Sequence, residues 1–187
     1  MSLKYGILGL LNYGPSTGYN IKTFFNDSLA FFWEAQASQI YRELAALEKD
    51  GFAKSETVIQ YDKPNKNLFS ITEKGRKAFY EWMAQPFGND SFTFKSPMLM
   101  KLFFAAGQES DITVAMLKKF SADMRGGLAV LDGVGSHIDA TVAERPAVEK
   151  DKLYWTLAAD FGYRYNIMAA EWAENAVKEI EKHNIKE

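Results

Sequence analysis

The first apolar stretches of the chain repeat at the spacing of short α-helices. Leu3 to Leu11 has apolar residues at positions 3, 7, 8, 10 and 11, which predicts a first helix that stops before the Gly14-Pro15 breaker. Ser16 is a suitable N-cap for a second helix over roughly 17–28. The side chains that we expect this helix to turn inward are Tyr19, Ile21, Phe24 and Phe25.

A third helix is predicted from about Ala37 to Asp50, and Gly51 suits the position that ends it. Its core stripe, spaced by four and three residues, is Ile40, Leu44 and Leu47. The opposite face carries polar or small residues, namely Ser38, Arg42, Ala45 and Lys49, with Gln39 and Ala46 beside them. Arginine pairs with guanine and glutamine with adenine in the major groove, so this face is a candidate DNA reader. An ordinary solvated helix face has the same composition.

Two strands are predicted after the third helix, over 53–61 and 67–71, where β-branched and aromatic residues are frequent. The segment 62–66 between them has turn chemistry, and its Lys63 and Lys66 suit contact with phosphates. Thr72 is the expected cap of a fourth helix, whose apolar face is Phe79, Trp82 and Met83. Helix, hairpin and helix are the second half of a winged helix-turn-helix, in which the helix enters the major groove.

The second half of the chain predicts helices alone. Ser96-Pro97 opens a short helix with the apolar residues Met98, Leu99, Leu102, Phe103 and Phe104. A long helix is predicted to begin at Asp111. Its apolar stripe is Met116, Phe120, Met124, Leu128, Leu131, Val134 and Ile138. Glycines at 126, 127, 133 and 135 are expected to mark close packing or a bend in this helix. A last helix runs from about Lys150 towards Lys182. Two long antiparallel helices with such stripes predict pairing with a second copy of the chain.

Composition and charge exclude several classes of protein. The net charge is -2, which argues against coating nucleic acid by bulk charge; residues 1–86 carry 10 Lys/Arg against 9 Asp/Glu, and residues 87–187 carry 12 against 15. Cysteine is absent, so thiolate chemistry is excluded and a cytoplasmic location is expected. No apolar run has the roughly 20 residues that span a bilayer. His137 and His183 have no second histidine at i+4, so no zinc motif forms. The sequence also has no phosphate-binding loop and no catalytic constellation, so we expect no cofactor and no enzyme activity.

Several short motifs over residues 3–80 together carry a family resemblance. They are Ile7-Leu8-Gly9-Leu10-Leu11, Gly14-Pro15 with Gly18-Tyr19, Gln39-Ile40-Tyr41-Arg42-Glu43-Leu44, Leu47-Glu48-Lys49-Asp50-Gly51-Phe52, and Phe69-Ser70-Ile71-Thr72-Glu73-Lys74-Gly75. In this order and spacing they resemble the PadR family of bacterial transcriptional regulators. The IYREL motif at 40–44 and the long helical second half resemble the branch that includes virulence-gene activators. The wing departs from many relatives, because it has fewer cations and contains Glu56 and Asp62.

The resemblance implies a mainly α protein of two domains, a winged helix-turn-helix with a two-stranded wing over 1–86 and an antiparallel helical dimerisation domain over 92–187. It implies a homodimeric regulator that binds double-stranded DNA. The residues that we expect to contact DNA are Ser38, Gln39, Tyr41, Arg42, Lys49, Lys63 and Lys66.

Two other functions fit the same sequence. The weakly charged wing fits a winged-helix protein-interaction module that does not bind DNA. A ligand-binding or enzymatic helical protein fits the aromatic residues Tyr154, Trp155, Phe161, Tyr163, Tyr165 and Trp172, which could line an apolar pocket, although core and dimer packing use the same residue types. In a regulator, the same pocket would hold an apolar or aromatic small-molecule effector. Salt-dependent binding to a palindromic duplex distinguishes the regulator from both.

Overall fold

Two compact units, each with its own hydrophobic core, make up the chain. In the computed structural model they are Met1–Ser91 and Phe92–Glu187. The structure describes residues 2–29, 33, 35–59, 65–86, 96–144 and 146–184. Lys63 and most of the predicted wing turn lie outside these described residues.

The first unit alternates helices with three short strands. Its elements are α1 (Ser2–Asn12), β1 (Ser16–Thr17), α2 (Gly18–Phe24) with a π-helical turn (Phe25–Leu29), α3 (Ala37–Lys49), β2 (Ala53–Val58), β3 (Lys66–Ile71) and α4 (Glu73–Met83). The four predicted helices and the two predicted strands of the wing are all present.

The core of the first unit lies between the helices and the sheet. Its buried members come from α1, α2, α3, β2 and β3, with Ala35 ahead of α3: Ile7, Leu8, Leu11, Ile21, Phe25, Ala35, Ile40, Leu44, Leu47, Ala53 and Phe69. The predicted stripe of α3 is therefore the face that the core covers. Its burial fixes which side of α3 remains in solvent.

The antiparallel sheet has one more strand than the sequence predicts. Its order is β1-β3-β2, with Ser16 and Ser55 both opposite Phe69. Ser16 is therefore in a strand and is not the N-cap of α2. Thr17 caps that helix, since its Oγ1 accepts a hydrogen bond from the Asn20 N–H at 3.1 Å. The prediction was wrong by one residue because the pairing with β3 keeps the backbone extended through Thr17.

Two predicted inward positions of the first unit are wrong. Tyr19 is 66% exposed, because Gly18, Ile21 and Phe25 take the buried face of the segment. Met83, in the last turn of α4, is also exposed. The other two residues of the predicted α4 face, Phe79 and Trp82, are half-buried. The Trp82 ring stacks on Tyr5 of α1 with ring centroids 4.8 Å apart.

The second unit contains helices only among its described residues. They are α5 (Pro97–Phe103), a 3-10 turn (Ala105–Gly107), α6 (Ser110–Asp132), α7 (Val134–Glu144), a second 3-10 turn (Pro146–Asp151) and α8 (Lys152–Asn184). Ser96 caps α5, with its Oγ accepting from the Leu99 N–H at 3.2 Å. The single long helix predicted from Asp111 is two helices, because the chain breaks at Gly133.

Helices α6 and α8 run antiparallel and share the core of the second unit. Val114 and Leu117 of α6 pack with Ala173 and Val177 of α8. The buried stripe of α6 thus begins at Thr113 and Val114, ahead of the predicted start at Met116. Met116, Phe120 and Met124 flank it as half-buried residues. Phe103 and Phe104, predicted on the inner face of α5, are exposed at its C-terminal end.

Candidate nucleic-acid interface

The solvent face of α3 carries the residues that the sequence predicts as DNA contacts. Ser38, Arg42 and Lys49 are exposed, on the side opposite Ile40, Leu44 and Leu47. Arg42 and Lys49 have no salt bridge to any described residue. Two cationic side chains and a hydroxyl are therefore presented together in solvent.

Gln39 and Tyr41 stand on the two edges of this face. The Gln36 N–H donates to Gln39 Oε1 at 3.0 Å, so the Gln39 side chain closes the first turn of α3. Tyr41 is half-exposed, and its ring lies over the start of α2: a Cβ atom at Gly18 would approach Tyr41 Cε1 to 2.4 Å. The lack of a side chain at Gly18 lets α2 and α3 approach closely, which gives the helix-turn-helix its angle.

The C-terminal end of α3 is fastened to its neighbours by hydrogen bonds. Glu48 accepts from the backbone N–H of Ser55 at 3.1 Å and from Ser55 Oγ at 2.5 Å, which ties α3 to β2. Lys74 Nζ donates to the Asp50 carbonyl at 2.7 Å, and Thr72 Oγ1 donates to the Gly51 carbonyl at 2.8 Å. These bonds fix α3 against both the wing and α4.

The Phe52 ring, next to the C-terminal end of α3, lies close to two lysine ammonium groups. Lys4 Nζ lies 3.7 Å from the ring centroid and Lys74 Nζ lies 4.7 Å from it. The contacts of Lys4 and Lys74 with the Phe52 ring have no signal in the sequence. Lys74 stands two residues after the Thr72 cap, but nothing in its spacing indicates the carbonyl of Asp50 as its partner.

The wing presents charges of both signs along its exposed positions. Lys66 begins β3 and is exposed, while Lys54 and Glu56 are exposed on β2. Thr57 Oγ1 donates to Asn67 Oδ1 at 3.2 Å across the two strands. Lys66 and Lys54 are thus available for phosphate contact, and Glu56 lowers the local positive potential.

A polar cluster joins the two long helices of the second unit. Glu174 on α8 accepts from Arg125 Nε and Nη2, both at 3.1 Å, and from the buried Ser121 Oγ at 2.8 Å. The Arg125 guanidinium, followed by the Ser121 hydroxyl, lowers the pKa of Glu174. Glu174 therefore links α6 and α8.

The outer face of α8 is apolar and exposed. Leu153, Leu157, Met168 and Trp172 follow each other at spacings that place them on one side of the helix, away from Ala169, Ala173 and Val177. Of the predicted aromatic cluster, Tyr154, Phe161, Tyr163 and Trp172 are exposed and Trp155 and Tyr165 are half-buried. A small groove elsewhere in the unit is lined by residues that include Met98, Leu102, Thr113 and Leu117.

The described residues show neither a metal-ligating cluster of His, Asp and Glu nor a helix long and apolar enough for a bilayer. His137 and His183 are exposed on α7 and α8.

Two family profiles and two curated relatives match the chain. Residues 7–81 match the transcriptional regulator PadR-like family, and residues 94–181 match the virulence activator alpha C-term family. The negative transcriptional regulator PadR of Bacillus subtilis (strain 168) is 35% identical over 128 residues, which are 65% of this chain and 69% of the relative. This chain belongs to the PadR-like family of transcriptional regulators.

Solved structures of this PadR-like regulator's relatives extend the similarity to nearly the whole chain. Bacillus subtilis PadR in complex with operator DNA is 25% identical with a TM-score of 0.75, covering 96% of this chain and 99% of its own. The same protein in complex with p-coumaric acid has 26% identity, a TM-score of 0.65 and coverage of 96% and 95%. The Vibrio cholerae virulence activator AphA has 25% identity, a TM-score of 0.72 and coverage of 97% and 99%.

These similarities confirm the family and the fold class expected from the sequence: a winged helix followed by a helical C-terminal region of the virulence-activator type. The similar proteins are transcriptional regulators and none of those named is an enzyme.

Proposed function

We propose that this PadR-like regulator binds double-stranded DNA as a homodimer, with α3 in the major groove and the wing on the flanking phosphates. The observation that carries the proposal is the exposed face of Ser38, Arg42 and Lys49 on a helix that is held at its C-terminal end by Glu48, Lys74 and Thr72. A fixed helix keeps its reading side chains at constant positions over the bases. Bacillus subtilis PadR has been solved with operator DNA, which supports the same role here.

The wing contributes affinity without sequence information. Lys66, and Lys63 in the wing turn, are proposed to contact phosphates. Tyr41, at the edge of α3, is proposed to lie beside the sugar-phosphate backbone of the DNA. Each phosphate contact releases counterions, so binding should weaken steeply as salt rises. Because residues 1–86 are nearly neutral in sum, two copies must act together to give useful affinity.

The outer apolar face of α8 supports the homodimer. Leu157 and Met168 are 56% and 55% exposed, and their burial against a second copy would remove apolar surface from water. We propose a division of labour in which 1–86 reads DNA and 92–187 dimerises. A twofold dimer would set two recognition helices about 34 Å apart, one turn of DNA.

We also propose that a small apolar or aromatic molecule acts as effector and that the protein works in the cytoplasm. The exposed aromatic rings of α8, such as Tyr154 and Trp172, support an aromatic ligand, as does the p-coumaric acid complex of the Bacillus subtilis relative. Repression or activation depends on where the operator lies, and either is compatible with this proposal.

The test uses the DNA sequence that the wild-type protein selects from a randomised duplex pool. The Arg42→Ala variant should bind this selected duplex more weakly by about 1–3 kcal/mol, because a base contact is lost. Its melting temperature should not change, because Arg42 is exposed. Lys77→Ala is the matched control: it removes an exposed cation from α4, outside the α3 face, and should retain wild-type affinity.

Selection that yields no sequence, or binding that does not depend on salt, would contradict the DNA-binding proposal and favour the protein-interaction module. Equal affinity of Arg42→Ala and wild type would contradict the assignment of the α3 face alone.

A further inference from the structure

The side-chain amide of Gln39 already makes one hydrogen bond, and this bond constrains any further contact that the amide can make. Gln39 is the third residue of α3 and lies at the N-terminal end of this helix. In helix-turn-helix proteins, the N-terminal residues of the recognition helix contact the bases. Gln39 is exposed, so part of its side chain is accessible to a partner. Its Oε1 atom already accepts the hydrogen bond from the Gln36 N–H at 3.0 Å.

The cap determines the orientation of the Gln39 amide. A backbone N–H can only donate, so the side-chain atom that faces Gln36 must be the oxygen and not the nitrogen. The Nε2 group is therefore the amide atom that takes no part in this hydrogen bond. Nε2 has no hydrogen-bond acceptor among the residues that the structure describes.

We propose that Gln39 determines sequence specificity as a hydrogen-bond donor and reads an acceptor that adenine lacks, O6 of guanine or O4 of thymine. The usual bidentate pairing of glutamine with adenine needs the amide oxygen to accept from N6. Here that oxygen would have to leave the cap or accept a second bond, whereas a donor contact leaves the cap undisturbed. The adenine preference expected from residue type alone is thus replaced by a preference for guanine or thymine.

This inference rests on the proposed DNA-binding function. It also makes Gln39 a positioning residue for α3, because the same amide satisfies one of the N–H groups at the start of the helix that lack an intrahelical partner.

Three proteins test the inference: the wild type, Gln39→Glu and Gln39→Ala. Glutamate keeps an oxygen for the cap, as glutamate does in capping boxes, but has no donor at neutral pH. Alanine loses both the cap and the donor. Affinities are measured on the selected duplex and on a panel in which every half-site position carries each of the four base pairs.

For the wild type, one position per half-site should prefer guanine or thymine, and replacing that base should weaken binding by about 2- to 13-fold, as expected for one hydrogen bond. Gln39→Glu should lose this preference and gain one for cytosine, whose N4 donates to a carboxylate, with an unchanged melting temperature. Gln39→Ala should lose the preference without gaining another and should melt at a lower temperature, because the cap is lost.

An adenine preference at the position that depends on Gln39 would overturn the inference. So would unchanged base preferences in both variants, or a Gln39→Ala melting temperature equal to that of the wild type. In each of these cases the wild type still selects a sequence, so the proposed function stands. If the wild type selects none, the proposed function and this inference fail together.

Discussion

At the residue scale, a few close approaches decide whether the recognition unit can form. Gly75 lies in the first turn of α4, where a Cβ atom would be 2.0 Å from the Phe52 carbonyl oxygen. That oxygen accepts from the Thr72 N–H at 3.0 Å and from Thr72 Oγ1 at 3.1 Å. No side chain fits between two backbone segments held this closely.

Gly75→Ala should therefore lower the free energy of unfolding by about 3 kcal/mol or more, because backbone atoms cannot move aside as a flexible side chain can. Chemical denaturation followed by circular dichroism measures the change. Gly126→Ala is the control, since Gly126 is exposed on α6 and no atom lies within 4 Å of the added methyl group. That variant should gain up to about 1 kcal/mol from helix propensity. Equal stability of Gly75→Ala and wild type would contradict the close packing described.

At the element scale, polar contacts set how neighbouring helices meet. Glu174 binds both Arg125 and Ser121 of α6, and a Cβ atom at Gly127 would approach Asn166 Oδ1 to 2.9 Å. The antiparallel pair is thus fixed along its length by apolar packing, by the Glu174 link and by a close contact at a glycine.

The Glu174 link should make the stability of the second unit depend on pH. Because the pKa of Glu174 is lowered in the folded chain, its contribution is complete above the ordinary value of 4.5 and is lost as the pH falls through the lowered value. Glu174→Gln should therefore lower stability at pH 7 and flatten the loss of stability as the pH falls below about 4.5.

Denaturation at a series of pH values measures this dependence. Glu179→Gln removes the same charge from an exposed pair with Lys182 on the same helix, and it should keep the wild-type pH profile. If Glu174→Gln kept the wild-type profile as well, the link would not contribute to stability.

At the scale of the whole molecule, α8 has two apolar faces and only one is covered within its own unit. The inner face, including Ala170 and Ala173, packs inside the unit. The outer face, including Leu153 and Leu157, remains in solvent. Large exposed apolar faces on one helix are typical of an interface between protein chains.

The double variant Leu157→Glu with Met168→Glu should dissociate the proposed homodimer. Each side chain gains about 1.5–3 kcal/mol from full burial, and a twofold interface loses each contribution twice. The dimer dissociation constant should rise by at least about a hundredfold, as measured by sedimentation velocity.

Binding to the selected duplex should weaken with dissociation, while helical content should stay the same. Thr156→Glu, an exposed position on another side of α8, should remain dimeric. A double variant that stayed dimeric at wild-type strength would exclude the outer face of α8 as the interface.

The sequence by itself determined the elements whose signals are local. The spacing of Ile40, Leu44 and Leu47 fixes both the helix and the side that faces solvent, and Thr72 and Ser96 mark two helix starts by their capping chemistry. The order of the motifs over residues 3–80 was specific enough to indicate the family. Each of these signals depends on residues within a few positions of one another.

Only the tertiary structure decided the features that depend on residues far apart in the chain. Pairing with Phe69 and Leu68 made Ser16-Thr17 a strand and moved the start of α2 by one residue. Packing against α8 selected Val114 and Leu117 as the buried positions of α6, although several phases of its apolar pattern are compatible with a helix.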